Sequence, residues 1–128
     1  MILDSTFLVD LEREARVKRP GPAMDFLGKH PEEVLCVTFT VAGEMAAGKT
    51  LQDYGRWEKF LSPFRFLGNR TEVNWLYGQI YRNLSVRGCL IGSNDMWIAA
   101  TALSYQETVI TRNLEDFSRV TGLRVLGY

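Results

Sequence analysis

The sequence predicts an α/β fold: one domain over residues 1–128, built as three α/β/α layers on a central parallel sheet of four or five strands. Three observations predict it. Short apolar bursts alternate with segments of helical period, the pattern of strand–helix units wound around a parallel sheet. The chain has 128 residues, 46% hydrophobic and 23% charged, so it carries enough apolar side chain for one sizeable core without stapling. No repeat, low-complexity run or linker divides it.

The elements follow in order. Ile2-Leu3 is a strand that ends at Asp4. Thr6 to Arg16 reads as a helix with Phe7, Leu8 and Leu11 on one face. Pro20 and Pro22 break that pattern and allow a short helix from Ala23 to Lys29. Val34 to Thr38 is the second strand. Thr40 to Ala47 is helical, and after Gly48 the helical pattern resumes from Leu51 to Leu61. Phe64 to Leu67 is the third strand. From Thr71 to Val86, Val73, Leu76, Tyr77, Ile80, Tyr81 and Leu84 recur at helical spacing, and Gly88 stops the helix. Met96 to Ser104, rich in alanine, is a closely packed helix. Val109 to Thr111 is the fourth strand, Asn113 begins a short helix, and Arg124 to Leu126 is an edge strand. Trp57 and Trp75 are expected on helix surfaces or at an interface, and Trp97 near the site or core.

The 15 basic and 15 acidic side chains cancel, which argues against a protein that holds nucleic acid by bulk charge. A nucleic-acid enzyme remains compatible, because local basic residues around an acidic metal site cancel in the total. Cys36 and Cys89 lie in apolar stretches without metal-ligand spacing, so the expectation is a reduced, cytoplasmic protein. No stretch is apolar enough to span a membrane, and no signal peptide is expected. The single His30, in Gly-Lys-His-Pro, reads as a solvated loop residue, so histidine catalysis is not expected.

Four acids stand at special places: Asp4, Glu44, Asp95 and Asp116. In a parallel α/β sheet the carboxyl ends of strands and the amino ends of following helices share one rim, where ligands bind. Asp4 ends the first strand, Glu44 lies in the first turns after the second, and Asp116 follows the fourth. Asp95 opens the helix leading back to the fourth strand, and a right-handed crossover puts its start on the same rim. Clustered carboxylates repel, so they need a cation or a proton. Hard oxygen donors suit Mg²⁺ or Mn²⁺. Each acid also has a local reading: Asp4 as a helix N-cap, Asp95 as a dipole-favoured first-turn residue, Asn113 with Asp116 as a capping box, Glu44 as a solvated helix residue.

Several segments resemble a known family. Met1-Ile2-Leu3-Asp4-Ser5-Thr6 is similar to the opening of a PIN domain, and Thr40-Val41-Ala42-Gly43-Glu44-Met45 to its second acidic motif. Gly92-Ser93-Asn94-Asp95-Met96-Trp97-Ile98-Ala99-Ala100-Thr101-Ala102 resembles its third, and Val109-Ile110-Thr111-Arg112-Asn113-Leu114-Glu115-Asp116-Phe117 its fourth. Gly122-Leu123-Arg124-Val125 is similar to the ending of VapC-type toxins. Gly43 before Glu44 is a departure that weakens its helix by about 1 kcal/mol relative to alanine. The resemblance implies an endoribonuclease in which Asp4, Glu44, Asp95 and Asp116 bind or orient Mg²⁺ or Mn²⁺ and a metal-activated water attacks phosphorus. It suggests that Ser5, Thr6, Thr111 and Asn113 could hold waters or a phosphate oxygen and Arg112 the RNA backbone; Ser5 and Thr6 read equally as helix-start residues, Thr111 as an ordinary strand residue and Arg112 as a solvated arginine. It also implies a small antitoxin partner covering the acidic pocket, and a homodimer.

Two alternatives compete. Gly43-Glu44-Met45-Ala46-Ala47-Gly48-Lys49-Thr50 satisfies the P-loop pattern letter for letter, after a strand and before a helix, and would make a nucleotide-binding protein. Against it, Glu44-Met45-Ala46-Ala47 favours helix over a phosphate-cradling loop, and Gly48 serves as a helix C-cap. The other alternative is a non-catalytic PIN-fold interaction module, which the presence of all four acids disfavours.

Overall fold

The structure, a computed structural model, describes residues 1–128 as five strands and seven helices. In chain order these are β1 (Ile2–Leu3), α1 (Ser5–Arg16), α2 (Pro22–Lys29), β2 (Cys36–Thr38), α3 (Phe39–Ala47) and α4 (Tyr54–Leu61), then β3 (Arg65–Leu67), α5 (Thr71–Val86), α6 (Ser93–Tyr105), β4 (Val109–Ile110), α7 (Leu114–Ser118) and β5 (Val125–Leu126). The sheet runs β3-β2-β1-β4-β5, and every neighbouring pair is parallel. Right-handed crossovers send α1 to α4 to one face and α5 to α7 to the other, which makes the three α/β/α layers.

The strands are short because little of each is needed. Ile2, Leu3, Val109 and Ile110 are fully buried, so the central strands are covered on both faces and read as continuous apolar runs. One core of 27 buried hydrophobic residues joins the sheet to its helices. From β1 the chain adds β2 and β3 on one side, then returns to place β4 and β5 on the other. The β1–β4 boundary is therefore the point where strand order reverses, the place beyond the strands' carboxyl ends where open parallel sheets bind ligands. Asp4 follows β1 directly and Thr111 follows β4 directly.

Helix ends explain most differences from the sequence reading. Asp53 caps α4 by accepting the Arg56 N–H at 2.9 Å, so that helix starts at Tyr54 and leaves Leu51 as a buried residue outside it. The Met96 N–H donates to the Gly92 carbonyl at 3.0 Å, so α6 starts at Ser93, a turn earlier than expected. At the end of α5, Gly88 takes a positive φ of 67°. Its N–H reaches the Ser85 carbonyl, and the Cys89 N–H reaches Leu84, which is a Schellman closure that glycine permits at no steric cost.

Four aromatic assignments are also decided. Tyr81 turns out on the exposed side of α5. Trp57 is partly buried, not a surface residue: its Nε1–H donates to the Ala42 carbonyl at 2.9 Å and ties α4 to α3. Trp75 is exposed, as expected. Trp97 stacks on Tyr77 at 4.0 Å and meets Phe39 edge-on, which joins α6 to α5 and α3. His30 stacks on Phe26 and holds the Phe26 carbonyl through Nδ1, so it closes α2. No helix is long and apolar enough to cross a membrane.

Candidate active site

Asp4 is the best-anchored of the four acids. It is 2% exposed, and both carboxylate oxygens are held. Oδ1 accepts from the Phe7 N–H at 2.9 Å, which makes Asp4 the N-cap of α1, and from the Thr6 hydroxyl at 2.7 Å. Oδ2 accepts from the Thr111 hydroxyl across the β1–β4 boundary at 2.5 Å. Burial pushes the Asp4 carboxyl above the usual carboxylate range, against the lowering effect of these three donors, and the charge of Glu44 pushes the same way as burial. Asp4 is thus the N-cap of α1, one of the two roles its position suggested, and it stands on the same rim as the other three acids.

Thr111 is fully buried and has two jobs. It donates to Asp4 and accepts the Asn113 N–H at 2.9 Å, so it locks the turn leaving β4 to the start of α1. Asn113 in turn donates through Nδ2 to Asp116 Oδ2 at 2.9 Å, and Arg119 lies 3.5 Å from Asp116 Oδ1. The expected capping box is therefore altered: Asn113 bonds the Asp116 side chain and caps no backbone N–H.

Glu44 sits on α3 and Asp95 in the first turn of α6, two helices in contact at this rim. Asn94 donates from Nδ2 to Glu44 Oε1 at 2.6 Å, while Glu44 Oε2 is buried with no hydrogen-bond partner. Asp95 is half-buried, and its carboxyl is pushed up to about 6. Burial is the largest cause, followed by the negative charges of Asp4, Glu44 and Asp116 in that order. The four acids far apart in sequence are thus electrostatic neighbours, the convergence expected from the topology.

The donor set suits a hard divalent cation. It is all oxygen, it includes a buried carboxylate oxygen that nothing satisfies, and it holds Asp95 against three like charges. The acids do not close as a ready-made cage of three. Mg²⁺ asks for less than that, since it commonly keeps several waters and takes one or two carboxylates directly.

The remaining expected residues divide. Ser5 and Thr6 open α1 beside Asp4, and Thr6 donates to it. Arg112 forms an ion pair with Asp10 at 3.1 Å and lies over the Tyr128 ring. The P-loop reading fails: Gly43 to Ala47 lies inside α3, which runs unbroken from Phe39 to Ala47, so no loop of inward N–H groups exists there. Gly48 does follow the helix as its C-cap, with its N–H on Met45 and a φ of −71° instead of a left-handed turn.

Two residues escaped the sequence reading. Asn94 is one position before Asp95, and the signal was a second polar side chain in the first turn of an otherwise apolar helix. Asp10 lies on the buried stripe of α1 with Phe7, Leu11 and Glu14. An acid on an apolar helix face is a detectable anomaly, since burying it demands partners.

The sequence matches the PIN domain family over residues 1–123, and the chain belongs to that family. Its relatives there carry a more particular name. It is 44% identical over 102 residues to Ribonuclease VapC1 of Haemophilus influenzae (strain R2866), covering 73% of this chain and 74% of that protein. It is 30% identical over 129 residues to Ribonuclease VapC of Rickettsia bellii (strain RML369-C), covering 98% of this chain and 94% of that one. Its fold resembles that of DNA-bound VapBC from Salmonella typhimurium, with a TM-score of 0.81 at 24% identity over 98% of this chain and 96% of that chain.

Proposed function

We propose that this protein is a metal-dependent endoribonuclease, a single PIN domain acting as the toxin of a VapBC-type toxin–antitoxin pair. One observation carries the reading: Asp4, Glu44, Asp95 and Asp116 gather at one rim, where Glu44 Oε2 is buried with no hydrogen-bond partner. The named relatives, ribonucleases of the same family, supply the substrate class.

The four acids would hold Mg²⁺ or Mn²⁺. Such an ion supplies a Lewis acid for the phosphodiester and lowers the pKa of water to a useful range. The chain's own residues prepare for it. Thr111, Thr6 and the Phe7 N–H fix both Asp4 oxygens, Asn94 fixes Glu44 Oε1 and leaves Oε2 to the ion, and Asn113 orients Asp116. Such outer bonds set ligand direction before substrate arrives. Ser5 and Thr6, at the amino end of α1, would meet a phosphate oxygen or its water. Asp95 must be ionised to serve as a ligand, so the affinity of the metal-free chain for the ion should fall as pH drops through about 6.

The partners follow from the same reading: RNA as substrate, a small antitoxin that covers the acidic rim, and a second copy of the chain. Two free cysteines suit the reducing cytoplasm. The test is purified protein with structured RNAs in Mg²⁺, Mn²⁺ or chelator. Cleavage should need the metal, and Asp95→Asn and Glu44→Gln should each lose on the order of a hundredfold while staying folded. Equal cleavage in chelator, or by a folded Asp95→Asn protein, overturns the reading.

A further inference from the structure

Asp10 is 5% exposed on the core-facing side of α1, where an unpaired carboxylate would be costly. It has three partners. Arg13 donates to Oδ1 at 2.6 Å, Arg112 lies 3.1 Å from Oδ2, and the Tyr128 hydroxyl donates to Oδ2 at 2.7 Å. Burial and the bond to Asp10 raise the Tyr128 phenol, so it stays an O–H donor. The Tyr128 ring is itself fixed edge-on against Phe7 at 4.6 Å, and the Arg112 guanidinium lies 5.2 Å above it. Arg112 is therefore held from two sides while about half of its side chain stays exposed.

Neutralising Asp10 needs only one cation, and Arg13 makes the shorter contact. The second guanidinium, at the longer contact, keeps about half of its side chain exposed, where it can meet a further anion. The flank adjoins the acids: Arg112 follows Thr111, and Thr6 donates to Asp4. Between them lies a cavity of about 310 Å³ lined by Ser5, Thr6, Val9, Asp10 and Arg112. That is the low end of small-ligand sites, room for about one nucleotide unit. An RNA strand crossing four carboxylates meets repulsion, and a chain of zero net charge offers no bulk attraction to offset it.

We propose that Asp10 and Tyr128 are positioning residues that aim Arg112 at an RNA phosphate flanking the scissile one, with that nucleotide seated in the cavity beside Ser5, Thr6 and Val9. The identity of the ligand rests on the ribonuclease reading above. Arginine suits the task, because its fork can bind a phosphate while one edge stays on Asp10.

The test measures binding of a labelled single-stranded RNA to the Asp95→Asn protein across a salt series, and cleavage kinetics on the otherwise unaltered chain. Arg112→Ala should weaken binding about tenfold and flatten the salt dependence by about 0.7 in slope, the loss of one phosphate contact. Its deficit in kcat/KM should lie mainly in KM, and Arg112→Lys should restore part of it. Tyr128→Phe and Asp10→Asn should weaken binding in the same direction. Asp10→Asn is the sharper probe, because it raises net charge by one. A pure charge effect would tighten RNA binding, whereas misaiming Arg112 loosens it. Wild-type affinity and salt slope in Arg112→Ala overturn the subsite even if cleavage is robust. Tighter binding by Asp10→Asn overturns the positioning role. An Arg112-dependent RNA affinity in a protein that cleaves nothing keeps the subsite and removes the nuclease reading.

Discussion

At the scale of single residues, similar carboxylates differ by what surrounds them. Asp95 is half-buried among three like charges, and its carboxyl rises from 3.8 to about 6. The folded protein thus holds that proton more tightly than the unfolded chain, so stability falls as pH rises through this window. In chelator, Asp95→Asn should be more stable than the parent at pH 7, by on the order of 1 kcal/mol once solvent screening is allowed for, and the difference should vanish near pH 4. Urea denaturation at the two pH values checks this; no difference at pH 7 would mean that the acids do not crowd. Asp4 behaves otherwise. All its bonds are from donors, so Asp4→Asn must turn an amide N–H toward either the Phe7 N–H or Thr111, whose hydroxyl already accepts from Asn113. We expect Asp4→Asn to lose about 1–3 kcal/mol even as it relieves repulsion. An Asp4→Asn protein as stable as Asp95→Asn would show that this bond network is weak.

At the scale of elements, two helices invite opposite changes. Glu14, buried on α1, accepts the Ala23 and Met24 N–H groups at 3.1 and 2.9 Å and so caps α2 from a distance. Glu14→Ala orphans both donors and should cost about 2–3 kcal/mol, with Glu14→Gln losing less. Hydrogen exchange should locate the loosening in α2; uniform loosening would point to a core effect instead. Gly43, in contrast, sits in α3 with an ordinary helical φ, and an added Cβ would meet nothing within 4 Å. Gly43→Ala should raise stability by up to about 1 kcal/mol, visible as a higher melting temperature. A lower one would reveal a contact that the helix geometry does not contain.

At the scale of the whole molecule, the proposed metal site would link folding to metal binding through the rim. The acids come from the turn after β1 and from α3, α6 and α7, so an ion binding them would join both layers and both halves of the sheet. It would bind only the folded chain. At a hundredfold excess over Kd, Mn²⁺ should add about 2.7 kcal/mol, a shift on the order of 10 °C in melting temperature. Asp95→Asn should respond less. A wild-type melting curve indifferent to millimolar Mn²⁺ would count against the proposed metal site.

The sequence by itself determined the parallel α/β class, the order of strands and helices along the chain, and four acids that each follow a strand or open a helix within a few residues. Those follow from local causes: apolar runs too short for helices, helical spacing of core side chains, and glycine at Gly88, where a positive φ ends α5. Tertiary structure decided what depends on distant partners. Whether Trp57 lies outside or reaches Ala42, and whether Asp10 is solvated or buried beneath Arg112 and Tyr128, are settled by contacts between elements. The roles of Thr111 and Asn94 belong to the same class. Each carries a short-range bond between residues 107 and 50 positions apart, and no local pattern records such a pairing.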